Sequence, residues 1–177
     1  TITPVNDQPP ELKTKGLRLT VLQGDRLVVG PEILNVEDID SPPNEIQYEI
    51  IRHPNNGFLA MAHDPDATAH HFTQADINNA QVWFIQDRSP SSGVFYFSVT
   101  DGKHCPLYKL FHLDVTPISI TLVNLKDLLL PQGQNTVPIT NTHLSAVTNG
   151  RSLQIIYRMT QRLQPLTSAT PTSAFFP

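Results

Sequence analysis

The chain has 177 residues, and 12 Lys and Arg against 16 Asp and Glu give it a formal net charge of −4. That balance excludes the clustered basic face of a nucleic-acid groove, and no apolar run reaches the ~20 residues of a membrane-spanning helix. The single cysteine, Cys105, excludes an internal disulfide and a cysteine-rich zinc site, and 16 prolines beside 8 glycines favour short strands joined by rigid turns.

Residues 1–5, Thr-Ile-Thr-Pro-Val, alternate like the last strand of an earlier unit, so Thr1 reads as a cut inside a longer polypeptide. Asn6-Asp7-Gln8-Pro9-Pro10 reads as an interdomain linker, because paired prolines remove donors and fix an extended course. Alternation resumes at 17–21, turns at Gln23-Gly24-Asp25, and continues in short strands expected at 27–29 and 33–36. The second of these runs into Glu37-Asp38-Ile39-Asp40, three carboxylates in four residues. In a strand Asp38 and Asp40 share a face and Glu37 takes the other. Like charges side by side repel unless a cation separates them, and calcium, which takes six to eight oxygen ligands, would serve. A solvated acidic loop is the plain alternative.

Downstream, residues 46–50 have period two, with Ile46, Tyr48 and Ile50 on one face. Asn55-Asn56-Gly57 is a turn before the apolar residues 58–61, and 63–71 is a polar loop. Residues 72–77 fit a short helical turn capped by Thr73, with Asp76 three positions on. Strands follow at 81–85, 94–99 and 107–115, with Asp101-Gly102 between the last two. Seven or so short strands with regular turn signals predict an all-β, antiparallel sandwich of immunoglobulin-like architecture. Its expected core is Leu19, Val21, Leu34, Tyr48, Ile50, Leu59, Phe72, Ile77, Val82, Phe84, Phe95, Phe97, Val99, Phe111 and Leu113, and Trp83 is expected to pack there too.

Two sets of residues have the types that catalysis uses. His63, Asp64, Asp66, His70 and His71 supply zinc-ligand types, but adjacent histidines in extended chain diverge and no helical His-Glu-x-x-His spacing occurs, so an exposed loop is the better account. Asp87, Ser89, His112 and Asp114 offer triad residue types without a nucleophile elbow. The chain is therefore read as a non-enzyme.

Beyond residue 115 the sequence echoes itself. Leu130-Pro131-Gln132-Gly133-Gln134 repeats Val21-Leu22-Gln23-Gly24-Asp25 at a spacing of 109, and His143-Leu144 stands where Ile33-Leu34 stood. So long a period implies an array of whole domains. The expected division is 1–10 as the end of a preceding repeat and linker, 11–117 as a complete repeat, 118–162 as a partial second repeat and 163–177 as a disordered tail.

Phe72-Thr73-Gln74-Ala75-Asp76-Ile77 and Phe95-Tyr96-Phe97-Ser98-Val99-Thr100-Asp101-Gly102, with Asp38-Ile39-Asp40 and Pro54-Asn55-Asn56-Gly57-Phe58-Leu59 upstream, resemble the chondroitin sulfate proteoglycan repeat. Such arrays occur in Fras- and Frem-type basement-membrane proteins and in the melanoma-type cell-surface proteoglycan, and this copy leans toward the former. The repeat is similar in turn to cadherin domains. That resemblance implies interdomain calcium held by Asn6, Asp7, Asp38, Asp40 and Asp101, with Glu37 as an extra donor. At the second junction these positions become Ser119-Ile120 and Thr148-Asn149-Gly150, so no metal is expected there. The linker lacks the acidic residue that opens the cadherin version. The resemblance implies an extracellular module, secreted or part of an ectodomain, that meets matrix or cell-surface proteins and neighbouring repeats, in cell adhesion at basement membranes. The alternative is a soluble co-receptor or ligand-binding fragment that acts through its loops without calcium.

Overall fold

A computed structural model describes residues 5–150 and 155–158. The expected tail at 163–177 and the strand residues before Val5 lie outside them, as do parts of the expected second repeat. In chain order the elements are β1 (Glu11–Leu12), β2 (Arg18–Leu22), β3 (Arg26–Val28), β4 (Val36–Glu37), β5 (Gln47–Arg52), β6 (Gly57–Met61), β7 (His71–Thr73), α1 (Gln74–Asn78), β8 (Val82–Gln86), β9 (Gly93–Thr100), β10 (Leu107–Thr116), β11 (Ile120–Leu125) and β12 (Leu144–Thr148).

Two sheets face each other. One has the order β2-β10-β9-β5-β7, the other β3-β8-β6. All their pairings are antiparallel except β2 with β10, which run parallel and set Leu19 beside Leu113. These two strands come from opposite ends of the unit, so the intervening chain serves as the long crossover that a parallel pair requires. Period-two alternation turns one face of each sheet inward. All fifteen expected core residues are buried, and Val29, Val36 and Ile46 join the same cluster. Phe95 stacks on Phe111 at 4.8 Å and Tyr48 on Phe72 at 5.2 Å. Each large apolar side chain withdrawn from water in this way contributes about 1.5–3 kcal/mol before conformational entropy is counted.

Two local expectations change, and the expected turn at 55–57 holds a buried residue. Residues 33–35 are not a strand, because Ile33 and Leu34 both donate their N–H groups to the Gly30 carbonyl and close a turn, leaving β4 only Val36 and Glu37. Trp83 alternates away from the buried Val82 and Phe84 and is only half-buried, opposite Ala60. Asn56 is fully buried, its amide donating to the carbonyls of Ser91 and Leu113. Beside it Gly57 has φ 152°, and a Cβ there would meet the Ile85 carbonyl at 2.2 Å, so only glycine lets β6 pair with β8.

The segment after β10 pairs β11 with β12, and the offset seen in the sequence reappears in the bonding. Adding 110 to both partners of the β1–β4 pair Leu12↔Val36 gives the β11–β12 pair Leu122↔Ala146. Adding 110 to the Gly30 turn gives His143 and Leu144 donating to the Thr140 carbonyl. The Gly24 turn, Asp25 N–H to Leu22 carbonyl, recurs as Gln134 N–H to Pro131 carbonyl, with Gly24 and Gly133 both at positive φ.

Candidate functional site

One pole of the sandwich gathers residues 6–8, the end of β4 and the β9–β10 loop. The placement starts in the core. Thr73 and Asp76 close a reciprocal capping box that starts α1, and α1 carries Gln74 into the interior. Gln74 Oε1 accepts from the Val36 backbone N–H at 3.0 Å and from the Tyr48 hydroxyl at 2.5 Å. Burial pushes the Tyr48 phenol well above its ordinary pKa, so it stays a donor. Gln74 thereby fixes β4, and β4 projects residues 37–40 at the pole.

There the side chains act on backbone. Asp38 Oδ1 accepts from the Asp40 N–H at 2.9 Å. Asp40 Oδ2 accepts from the N–H groups of Asp7 and Gln8 at 3.2 and 3.0 Å, which ties the incoming segment to the acidic loop. Asn6 Nδ2 donates to Ser41 Oγ at 2.9 Å and to Asp101 Oδ2 at 3.0 Å. Asp101 is the hub: Oδ1 accepts from the Lys103 and His104 N–H groups, and Oδ2 from His104 Nδ1 at 2.6 Å. Its side chain has no exposed surface. Burial alone would push its pKa up. The hydrogen bonds from His104, Lys103 and Asn6 outweigh that and hold it well below the ordinary carboxylate range. A carboxylate only accepts, so Nδ1 of His104 must carry the proton.

Of the six expected metal ligands, the structure joins Asn6 to Asp101, and Asp40 to the backbone of Asp7. Asp38 braces the same loop. Glu37 accepts from Asn35 Nδ2 at 3.1 Å and bonds none of the other five. An open acidic groove of about 660 Å³ runs past Asp7, Glu11, Lys13, Glu37, Asp38 and Asp40.

A calcium cage here would draw on the oxygens of these side chains. Oxygen donors are the right kind, and Asn6 Oδ1 and Asp38 Oδ2 are buried without a partner. Even with the oxygens of Asp7 and Asp40 added, they are not gathered into the six to eight that calcium takes. Among the described residues no three His, Cys, Asp or Glu side chains group closely enough to hold a metal ion. By themselves these residues do not fit a calcium site.

Ser41, His104 and Gln74 complete the pole and were missed from sequence. For His104 the signal was present in Asp101-Gly102-Lys103-His104, where an aspartate opening a turn accepts from backbone two and three residues on. Gln74 gave no signal, since a buried glutamine looks like a surface one in sequence.

The rival clusters are engaged separately. His53 Nε2 lies 2.9 Å from His70 Nδ1. Asp87 accepts from the Ser89 N–H, while Asp114 pairs with Arg18 at 2.8 Å. Cys105 is exposed.

Comparison with known proteins places this geometry. The profile of the cadherin-like family matches residues 10–115. Mouse chondroitin sulfate proteoglycan 4 is 34% identical over 99% of this chain. Human FRAS1-related extracellular matrix protein 2 is 24% identical over 71% of it, and mouse extracellular matrix organizing protein FRAS1 29% over 66%. Identity and coverage are thus higher toward the proteoglycan, the reverse of the leaning read from the motifs. The chain spans 8% of the proteoglycan's length and 4% of each matrix protein's.

Proposed function

The chain belongs to the cadherin-like family, and from that premise we propose that it is an extracellular-matrix module working as a spacer in a tandem array. In this reading residues 11–117 are one whole repeat, 1–10 lead in from the one before, and 118–162 open the next. The module holds its neighbours at a set distance and angle and presents its outer faces to matrix or cell-surface proteins, at basement membranes among other sites. Relatives named as a proteoglycan and as extracellular matrix proteins support the setting and a role without catalysis. The observation that carries the spacer reading is the linker tied at two points to the sandwich, through Asn6 to Asp101 and through Asp7 and Gln8 to Asp40. A freely jointed array would have no use for such ties. Small-angle scattering on a chain of two complete repeats tests it: a rod of one fixed length supports the spacer, and a broad distribution of lengths sinks it.

Calcium stiffening is a second reading, favoured by the unpartnered Asn6 Oδ1 and Asp38 Oδ2. It requires further oxygens from a preceding repeat. A thermal melt of such a two-repeat chain in calcium and in chelator decides it, because a ligand bound only by the folded state stabilises by roughly 2.7 kcal/mol at a hundredfold excess over Kd. Equal melting temperatures remove it.

A further inference from the structure

We propose that the pole is a metal-independent latch, in which Asn6, Asp40 and Asp101 hold the linker on the sandwich by hydrogen bonds alone. The inference rests on the spacer reading and takes its metal-free form. A carboxylate has about four lone-pair positions. Asp101 receives four donors, from Lys103 N–H, His104 N–H, His104 Nδ1 and Asn6 Nδ2, and has none left for a cation. Asn6 adds a second constraint. An acceptor-only carboxylate makes the amide turn its nitrogen toward Asp101, so the two side chains cannot both offer oxygen to one ion without breaking the bond between them. This also accounts for an amide at position 6, since an aspartate would set carboxylate against carboxylate. Asp40 Oδ2 already receives two backbone N–H groups.

The position 110 residues on gives an independent argument. There the Ser119 N–H donates to Asn149 Oδ1 at 2.9 Å, and Asn149 Nδ2 donates to the Pro117 carbonyl at 3.0 Å. The Gly150 N–H donates to Thr148 Oγ1 at 3.1 Å, as the Asp40 N–H does to Asp38 Oδ1. A tie between incoming chain and loop is thus made there by Asn149, while Thr148 braces the loop, and neither is a carboxylate. What the two positions share is a polar loop side chain that accepts from the incoming backbone, not the charge that a cation would need.

The test is amide exchange of Asp7 and Gln8 in the 177-residue chain, in EDTA and in millimolar calcium. The latch requires both amides to be protected in EDTA and unchanged by calcium. Asn6→Ala should lower their protection about tenfold or more, and Asn6→Asp further, while amides of β9 and β10 stay as in the parent and show that the fold is intact. Exchange at open-chain rates in EDTA, or protection that rises on adding calcium, overturns the latch. The spacer reading fails separately, by a broad distribution of lengths for two joined repeats, so the two failures are told apart.

Discussion

At the scale of single residues, Asp101 and His53 show how an environment fixes a charge state and what then depends on pH. Asp101 is folded with a depressed pKa because four donors point at it. A depressed carboxylate contributes stability that is fully present above its unfolded pKa of ~3.9 and is lost as pH falls below it. Urea unfolding at pH 7 and pH 3 should therefore show a loss on acidification that Asp101→Asn removes in part. At pH 7 that variant should cost about 2 kcal/mol, because its NH2 faces donors where an acceptor stood. His53 also has a lowered pKa, from burial first and from His70 second. Here too the unfolded chain takes up the proton more readily, so stability is constant above about pH 6.5 and declines below it. Melting temperatures across pH 7 to 5 should fall less steeply in His53→Gln than in the parent, and an unchanged slope would rule His53 out as the source.

At the scale of elements, α1 matters less as a helix than as the mount for Gln74. Gln74→Leu strands two buried donors, the Val36 N–H and the Tyr48 hydroxyl, and should cost about 3 kcal/mol. Tyr48→Phe removes only one partner and should cost about 1 kcal/mol. In the double variant the costs should not add, since both remove the same bond. Additive unfolding energies would show that Gln74 does not work through Tyr48. This element also marks where the sequence was legible. Apolar alternation exposed the sandwich and its core, because burial is written residue by residue, and Thr73 with Asp76 announced the cap. The linker, the Asp38-x-Asp40 pair and Asp101 could be assigned to one pole, since each sits at a turn between strands. How they bond there was not legible. Whether an aspartate oxygen meets a cation or an N–H depends on loop conformation, as it does at Asp40 with the Gln8 amide, and single-residue types do not encode that. The strand expected at 33–35 failed for a similar reason: apolar residues fill a turn as well as a strand when Gly30 and Pro31 precede them.

At the scale of the whole molecule, the contrast lies between a unit with a core and a strand pair that has none among the described residues. Leu12 packs against the cluster that contains Val36, while Leu122, its counterpart 110 residues on, is 57% exposed. Ile120, Val123, Leu125 and Val147 are exposed around it. A two-stranded hairpin is marginal in water unless it packs on something. Within this chain the β11–β12 pairing should thus open at far lower free energy than β9–β10, and amide exchange should show protection falling by orders of magnitude between the two. Substitution separates the cases in the same way. Leu113→Ala empties a fully buried site and should cost about 2–5 kcal/mol, whereas Leu122→Asp should leave the melting temperature of this chain within experimental scatter. If β11 and β12 are the opening strands of a second sandwich, a chain carrying that sandwich entire must bury Leu122 as the first buries Leu12. Leu122→Asp should then lower the melting temperature of the second unit alone. Equal tolerance in both settings would mean that the 110-residue recurrence extends to turns and registers but not to a second core.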